Sequence, residues 1–69
     1  MFNANLLKAE LLIKGISTDE LAKTLEINKS TLSKRINGKS EWTLSELQKV
    51  GEILGVEKMN HIFFGQEVS

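Results

Sequence analysis

Residues 15–39 of the chain read GISTDELAKTLEINKSTLSKRINGK, and their spacing of apolar and polar residues indicates the fold. Its apolar residues recur at intervals of three and four, the period of an α-helix, instead of alternating as they do in a strand. Ser17 is followed three residues later by Glu20, a spacing typical of the capping box at a helix N-terminus. The pattern therefore predicts a helix over about 18–25.

A second helix is predicted directly behind it, over about 29–36. Asn28 is a favourable N-cap, and Asn37 followed by Gly38 ends the helix because both residues tolerate left-handed backbone conformations. Only residues 26–28 separate the two helices. A link this short makes two helices cross steeply, which is the geometry of a helix-turn-helix.

The rest of the chain carries the same helical period. In the first predicted helix, Leu7 and Leu11 form an apolar stripe with Leu6 and Leu12 at its flanks. No segment alternates for long enough to predict a strand, so the predicted fold class is all-α, a compact five-helix bundle in a single domain. The predicted boundaries are about 5–14 for the first helix, about 17–38 for the helix-turn-helix core, about 44–54 and 57–64 for the last two helices (44–64 together), and 1–69 for the domain.

The composition excludes several classes of function. The 69 residues include no cysteine and one histidine, so a disulfide framework, a thiolate zinc site and a histidine metal site are not expected. No nucleophile–base pair or phosphate-binding loop is visible, so we expect neither an enzyme nor a bound cofactor or small-molecule ligand. No apolar run approaches the roughly 18 residues that span a bilayer, and no signal peptide is recognisable, so a cytoplasmic location is expected.

The net charge is zero, but the charge is unevenly spread. Residues 27–40 carry three lysines and one arginine without an acid, a sum of +4. Residues 1–26 carry three lysines and four acids, a sum of −1, and residues 41–69 carry two lysines and five acids, a sum of −3. Such a basic island suggests a surface that faces a polyanion, although a solvated face balanced by acids from elsewhere in the fold explains it equally well.

Four features of residues 15–39 occur together: the Gly-Ile-Ser entry at 15–17, Leu21-Ala22 in the second helix, Ile27 in the turn, and Asn37-Gly38-Lys39 after the third helix. With them the stretch resembles the helix-turn-helix domain of the Cro and phage-repressor type, the lambda-repressor-like or Xre-type family. The resemblance extends through all five helices. It implies a lambda-repressor-like fold and a Cro-like or repressor-like transcriptional regulator of phage or prophage type. Such a regulator binds a palindromic operator in double-stranded DNA as a homodimer, at the nucleoid of a bacterial host cell.

The resemblance also implies which residues meet DNA. Leu32 and Ile36 are the inward pair of the third helix, so its opposite face is expected in the major groove. The residues expected at base edges are Lys29, Ser30, Thr31, Ser33 and Lys34. Those expected at the sugar-phosphate backbone are Thr18, Asn37, Lys39, Ser40 and Thr43. Phe63 and Phe64 are expected at a dimer interface, and because they are adjacent, one of them should be partly exposed.

Three positions depart from the family's pattern. Glu26 stands where the family usually has a glycine with positive φ, so left-handed backbone is predicted at this glutamate. Thr18 stands where many members have a bridging glutamine, and Arg35 stands where an apolar core residue is usual. Trp42 is expected to plug the core under the loop between the third and fourth helices, with stacking on the DNA backbone as the alternative.

One alternative keeps the fold and changes the partner. In this alternative the chain is a protein-binding adaptor, such as an antirepressor, without specific DNA binding. The near-zero net charge and the five acids after residue 40 favour an adaptor more than a strongly basic composition would. Binding to duplex DNA that weakens steeply with salt separates the two, because only a DNA reader releases counterions from phosphates.

Overall fold

Five α-helices make up the computed structural model, which describes residues 1–65 of the chain. No strand is present among these residues, and the predicted all-α fold is confirmed. Within the same range, none of the helices has the length and apolar character that crossing a bilayer requires. The helices are Ala4–Lys14 (α1), Thr18–Leu25 (α2), Lys29–Ile36 (α3), Leu44–Leu54 (α4) and Val56–Phe64 (α5).

The start of α2 follows the predicted capping box, and α4 begins with a box of the same kind. The Ser17 hydroxyl accepts a hydrogen bond from the Glu20 amide at 3.1 Å, and the Glu20 carboxylate accepts one from the Ser17 amide at 3.1 Å. Thr43 and Glu46 form the same reciprocal pair at the start of α4. The first four amides of a helix have no carbonyl partner, and each box satisfies two of them and fixes where its helix begins.

The first and last helices, α1 and α5, each begin one residue earlier than predicted. The side-chain oxygen of Asn3 accepts a hydrogen bond from the Leu6 amide at 3.0 Å, so α1 begins at Ala4. α5 begins at Val56, directly after Gly55, whose φ of 96° turns the chain between α4 and α5. No side-chain cap marks the start of α5, and the sequence pattern places that boundary less sharply for the same reason.

The core lies between all five helices. α1 packs on α4 and α5, α2 packs on α3 and α4, and α4 lies against α5. Burial of apolar side chains is the main favourable contribution to folding, and every helix supplies some of them. The buried apolar residues are Leu7, Leu11, Leu21, Ala22, Leu25, Leu32, Ile36, Val50, Leu54, Ile62 and Phe63.

The apolar stripe of α1 is narrower than predicted. Leu7 and Leu11 are buried and Leu6 is half-buried, but Leu12 is 81% exposed. The prediction that Leu12 flanks the stripe is therefore wrong. Each step along a helix rotates the side chain by about 100°, which turns the residue after Leu11 away from the core.

An aromatic cluster closes one side of the core. The ring centroid of Trp42 lies 5.3 Å from that of Phe2 and 4.9 Å from that of Phe63. The rings of Phe2 and Phe63 stack on each other at 5.0 Å. The start of the chain is tied to the same region, because the Asn3 amide donates a hydrogen bond to the Ile62 carbonyl at 2.8 Å. Trp42 packs against the core, as the plug interpretation predicts.

Candidate nucleic-acid interface

Residues 26–28 turn the chain between α2 and α3. Glu26 has left-handed backbone, with φ of 60° and ψ of 39°, which confirms the prediction for this position. The amide of Ile27 donates to the carbonyl of Ala22 at 3.0 Å and closes the end of α2. The Glu26 carboxylate accepts a hydrogen bond from Lys49 Nζ of α4 at 2.7 Å, and this bond, with the charge of the lysine, lowers the pKa of Glu26.

α3 has one face in the core and one face in solvent. Leu32 is 2% exposed and Ile36 is 9% exposed, so the predicted inward pair is confirmed. Thr31 is half-buried at the edge between the two faces. Four exposed side chains form the outward face: Lys29, Ser30, Ser33 and Lys34. Because successive residues are rotated by about 100°, these four occupy one sector about 140° wide. We call this sector the α3 outer face.

An ion pair joins the first turn of α2 to the first turn of α3. Lys29 Nζ lies 3.0 Å from the Asp19 carboxylate, and the two side chains are 75% and 56% exposed. An ion pair this exposed contributes about 1 kcal/mol at most, because water and salt screen it. Lys29 can therefore exchange this carboxylate for a group on a bound partner at small cost.

The N-cap of α3 holds one of the serines on the α3 outer face. The side-chain oxygen of Asn28 accepts hydrogen bonds from the Thr31 amide at 2.7 Å and from the Ser30 hydroxyl at 2.9 Å. At the other end of the helix, the Asn37 amide group donates to the Ser33 hydroxyl at 3.3 Å. Ser30 therefore uses its hydroxyl proton within the protein, whereas Ser33 only accepts and keeps its proton for a partner that contacts this face.

An open cavity of about 240 Å³ lies beside the α3 outer face, between α1, the start of α2 and α3. Thr18, Ser33 and Asn37 line it together with the Asp19–Lys29 pair. Lys8 of α1 also lines it, and sequence reasoning did not identify this residue. No motif marks Lys8, because only the packing of α1 on the bundle brings it to the start of α2.

Arg35 points into the protein. Its Nε and Nη2 donate to the two carboxylate oxygens of Glu46 at 2.9 and 3.3 Å, and its Nη1 donates to the Ser40 hydroxyl at 2.8 Å. Arg35 thus occupies the family's apolar position as half of a mostly buried ion pair, with side chains 16% and 5% exposed. Burial raises the pKa of Glu46, but the hydrogen bonds from Arg35 and from the Thr43 amide outweigh it, so the pKa lies below its usual value. The positive charge of Arg35 is therefore not available to a polyanion.

The residues expected at the sugar-phosphate backbone fall into two groups. Thr18 and Asn37 are exposed and line the same cavity. Lys39, Ser40 and Thr43 follow α3 in the loop to α4, and of these Ser40 is half-buried. The amide of Thr43 donates to the Glu46 carboxylate at 2.9 Å, and its hydroxyl accepts from the Glu46 amide at 3.2 Å.

The two phenylalanines near the end of α5 differ in exposure. Phe63 is 6% exposed and packs in the core, whereas Phe64 is 51% exposed. The expectation that one of the two is partly exposed is confirmed, and the exposed residue is Phe64. Phe63 has little surface left for a partner, so Phe64 is the residue of the pair that a dimer interface can use.

Comparison with known proteins identifies one match. The family model described as Helix-turn-helix matches residues 7–58, which is well over half of the chain. The match covers the whole of α2, α3 and α4, and with them the α3 outer face. No curated protein matches the chain, and no solved structure matches it.

Proposed function

The chain belongs to the helix-turn-helix family of the Cro and phage-repressor type, and we propose that it regulates transcription by binding specific sequences of double-stranded DNA. Members of this family are DNA-binding regulators and not typically enzymes. We propose further that the protein is of phage or prophage type. On this proposal it represses by covering an operator and excluding the polymerase.

The observation that carries the proposal is the α3 outer face. An α-helix with its side chains is about 10–12 Å in diameter, and the major groove of B-form DNA is about 12 Å wide, so a helix such as α3 fits into the groove. Its inner side is anchored in the core by Leu32 and Ile36, which leaves only polar and cationic groups pointing outward. Hydroxyls and lysine ammonium groups match the hydrogen-bonding edges of bases and the phosphates beside them.

The proposed contacts divide into two sets. At base edges we propose Lys29, Ser30, Ser33 and Lys34, with Thr31 at the margin. At phosphates we propose Thr18, Asn37 and Lys39, and we add Lys8 because it lines the same cavity as Thr18. Ser40 keeps its hydroxyl proton for a phosphate oxygen. The Thr43 amide is held by Glu46, so the contact proposed at Thr43 passes to the amides that follow it in the first turn of α4.

We propose that two copies bind a palindromic operator. One α3 reaches only a few base pairs, and a symmetric dimer doubles the contact by placing two such helices about one helical turn apart. Exposed aromatic side chains suit a symmetric interface between copies. Phe64 is the proposed contact between the two protomers.

Selection from a random duplex library with the purified protein, followed by sequencing, tests the proposal. The expected result is an enriched motif with two-fold symmetry, whose binding weakens steeply with salt. The adaptor alternative gives the opposite result. If no duplex is enriched and the residual binding is independent of salt, the same fold serves a protein partner and the proposed function is wrong.

A further inference from the structure

We infer that Asn28 sets the base preference of the neighbouring Ser30 by taking the only proton of its hydroxyl. Ser30 can then only accept hydrogen bonds from DNA, and it selects a base with an amino group in the major groove, adenine or cytosine on the contacted strand. The inference rests on the proposed function and specifies one part of it. Asn28 acts here as a positioning residue, through Ser30, and does not itself read the base.

The direction of the hydrogen bonds at Asn28 follows from chemistry. The Thr31 amide lies 2.7 Å from one atom of the Asn28 side chain, and a backbone N–H can only donate. That atom must therefore be the carbonyl oxygen of the asparagine and not its nitrogen. The Ser30 hydroxyl lies 2.9 Å from the same oxygen, which has no hydrogen to give, so Ser30 is the donor in this contact.

Because the Ser30 proton is used in the bond to Asn28, it is not available for a hydrogen bond to DNA. A serine hydroxyl has one proton and two lone pairs, and here the proton is turned back toward the start of α3. Ser30 lies on the exposed face of the helix, so only lone pairs are available to a bound duplex. In the major groove adenine N6 and cytosine N4 donate, whereas guanine O6 and thymine O4 accept. The amino bases are therefore favoured opposite Ser30.

Lys29 and Ser33, two other side chains of the α3 outer face, are hydrogen-bond donors where Ser30 is an acceptor. Lys29 can only donate, so it favours guanine O6 and N7 or thymine O4. Ser33 accepts a hydrogen bond from the Asn37 amide group at 3.3 Å and keeps its own proton for a partner. With Lys34, which also can only donate, the α3 outer face thus presents donors at three positions and an acceptor at Ser30, and only the acceptor depends on the N-cap.

The test compares the bases selected by four proteins from the same random duplex library. The wild type defines the motif, and Ser30→Ala identifies the position that Ser30 reads, because its preference is lost there. Asn28→Gly removes the acceptor while leaving a residue that caps helices nearly as well, so it frees the Ser30 proton and keeps the fold. Asn28→Asp is the matched control, since it keeps both the cap and the acceptor. Circular dichroism of each variant confirms that the helices persist.

At the position identified by Ser30→Ala, we expect Asn28→Gly to lower the ratio of amino to keto bases about fivefold, the size expected of a single neutral hydrogen bond. Asn28→Asp should keep that ratio, even if its added negative charge weakens binding to all sequences. An unchanged ratio in Asn28→Gly would show that the proton of Ser30 is not committed, and the inference would fail. It would also fail if Ser30→Ala changed no position, or if Asn28→Asp lost the preference as fully as Asn28→Gly. If the wild type enriches no duplex at all, the proposed function itself is wrong, and the inference falls with it.

Discussion

Glu26 occupies the one backbone position between α2 and α3 that disfavours side chains. Its φ of 60° lies in the left-handed region, where a Cβ atom crowds the following carbonyl, and it is the only non-glycine residue of the described chain with a positive φ. The strain is offset locally, because the Glu26 carboxylate accepts a hydrogen bond from Lys49 on α4. The side chain that strains the turn therefore also ties the turn to α4.

Replacing Glu26 with glycine should stabilise the protein modestly. Glycine adopts left-handed backbone without steric cost, and the loss of an exposed ion pair removes only part of that gain. We expect the Tm of Glu26→Gly to rise by about 2–5 °C, measured by circular dichroism. Glu26→Gln keeps the strain and loses the ion pair, so its Tm should fall. A Tm of Glu26→Gly below that of the wild type would show that the Lys49 contact outweighs the backbone strain.

At the scale of elements, the Arg35–Glu46 ion pair fixes α3 against α4. Three hydrogen bonds leave the guanidinium, two to Glu46 and one to Ser40, so the helix, the following loop and the cap of α4 share one network. A buried charge that loses its partner costs several kcal/mol, about 3–5 in measured cases. The orientation of the α3 outer face thus depends on a contact made at the back of the helix.

The network predicts that the protein loses stability in acid. The pKa of Glu46 is lower in the folded chain than its usual value of 4.5, so the unfolded chain binds more protons as the pH falls. The contribution of Glu46 is complete above about pH 4.5 and is lost as the pH falls through the lower folded value. Glu26 also has a lowered pKa, and its contribution has the same sign.

Urea unfolding of the wild type and of Glu46→Gln at several pH values measures this effect. Glutamine keeps the shape but removes the charge that partners the Arg35 guanidinium, so we expect a loss of about 3 kcal/mol at pH 7, the low end of the cost of leaving a buried charge unpaired. The difference between the two proteins should shrink as the pH falls below about 4.5, because Glu46 is then protonated in the unfolded wild-type chain before it is protonated in the folded one. A difference that stays constant down to pH 3 would show that the charge of Glu46 is not what stabilises the network.

The lysines of the α3 outer face should matter for binding and not for folding. Lys29 and Lys34 are both exposed, so replacing either with alanine should leave the Tm within about 2 °C, as is usual for surface positions. Each replacement should weaken binding to the selected operator by about tenfold or more, if the lysine contacts a base. Lys14→Ala is a matched control, since this lysine is exposed at the end of α1. Normal operator binding by both α3 variants would contradict the assignment of this face.

The elements of the fold could be predicted from sequence because caps and apolar period act locally. Ser17, Asn28 and Thr43 each bond an amide three residues ahead, and that spacing is visible in the sequence. Contacts between distant elements could not be predicted in this way. The spacing of Thr43 and Glu46 indicates a capping box, but it does not show that the same carboxylate also accepts a hydrogen bond from Arg35 of another helix. Lys8 reaches the cavity through helix packing, which leaves no mark in its neighbours along the chain.

At the scale of the whole molecule, dimer formation should depend on Phe64. Half of its surface is exposed in the single chain, so Phe64→Ser should keep the fold, whereas Phe63→Ser would leave a polar group in the core. We expect sedimentation of the wild type to show a concentration-dependent dimer and that of Phe64→Ser to show mainly monomer. A wild type that remains monomeric at high concentration, with and without operator DNA, would contradict the proposed dimer.

The charge of the whole molecule sets how binding to DNA depends on salt. The basic island holds four cations, but Arg35 is neutralised by Glu46 and Lys29 faces Asp19. Lys34 and Lys39 remain, together with Lys8 from α1. Of these, Lys8 and Lys39 are proposed at phosphates, and two such contacts predict a slope of log affinity against log salt of about −1.8 for each bound chain, and about twice that for a dimer.

Fluorescence anisotropy of a labelled operator at several salt concentrations measures this slope. Lys39→Ala should reduce its magnitude by about 0.9 for each chain and weaken all sequences equally, because a phosphate contact carries no sequence information. Asp19→Asn should steepen the slope instead, since it releases the charge of Lys29 toward the DNA. If Lys39→Ala changed the preferred sequence while leaving the slope unchanged, this lysine would contact a base, and the loop after α3 would lie in the groove and not along the backbone.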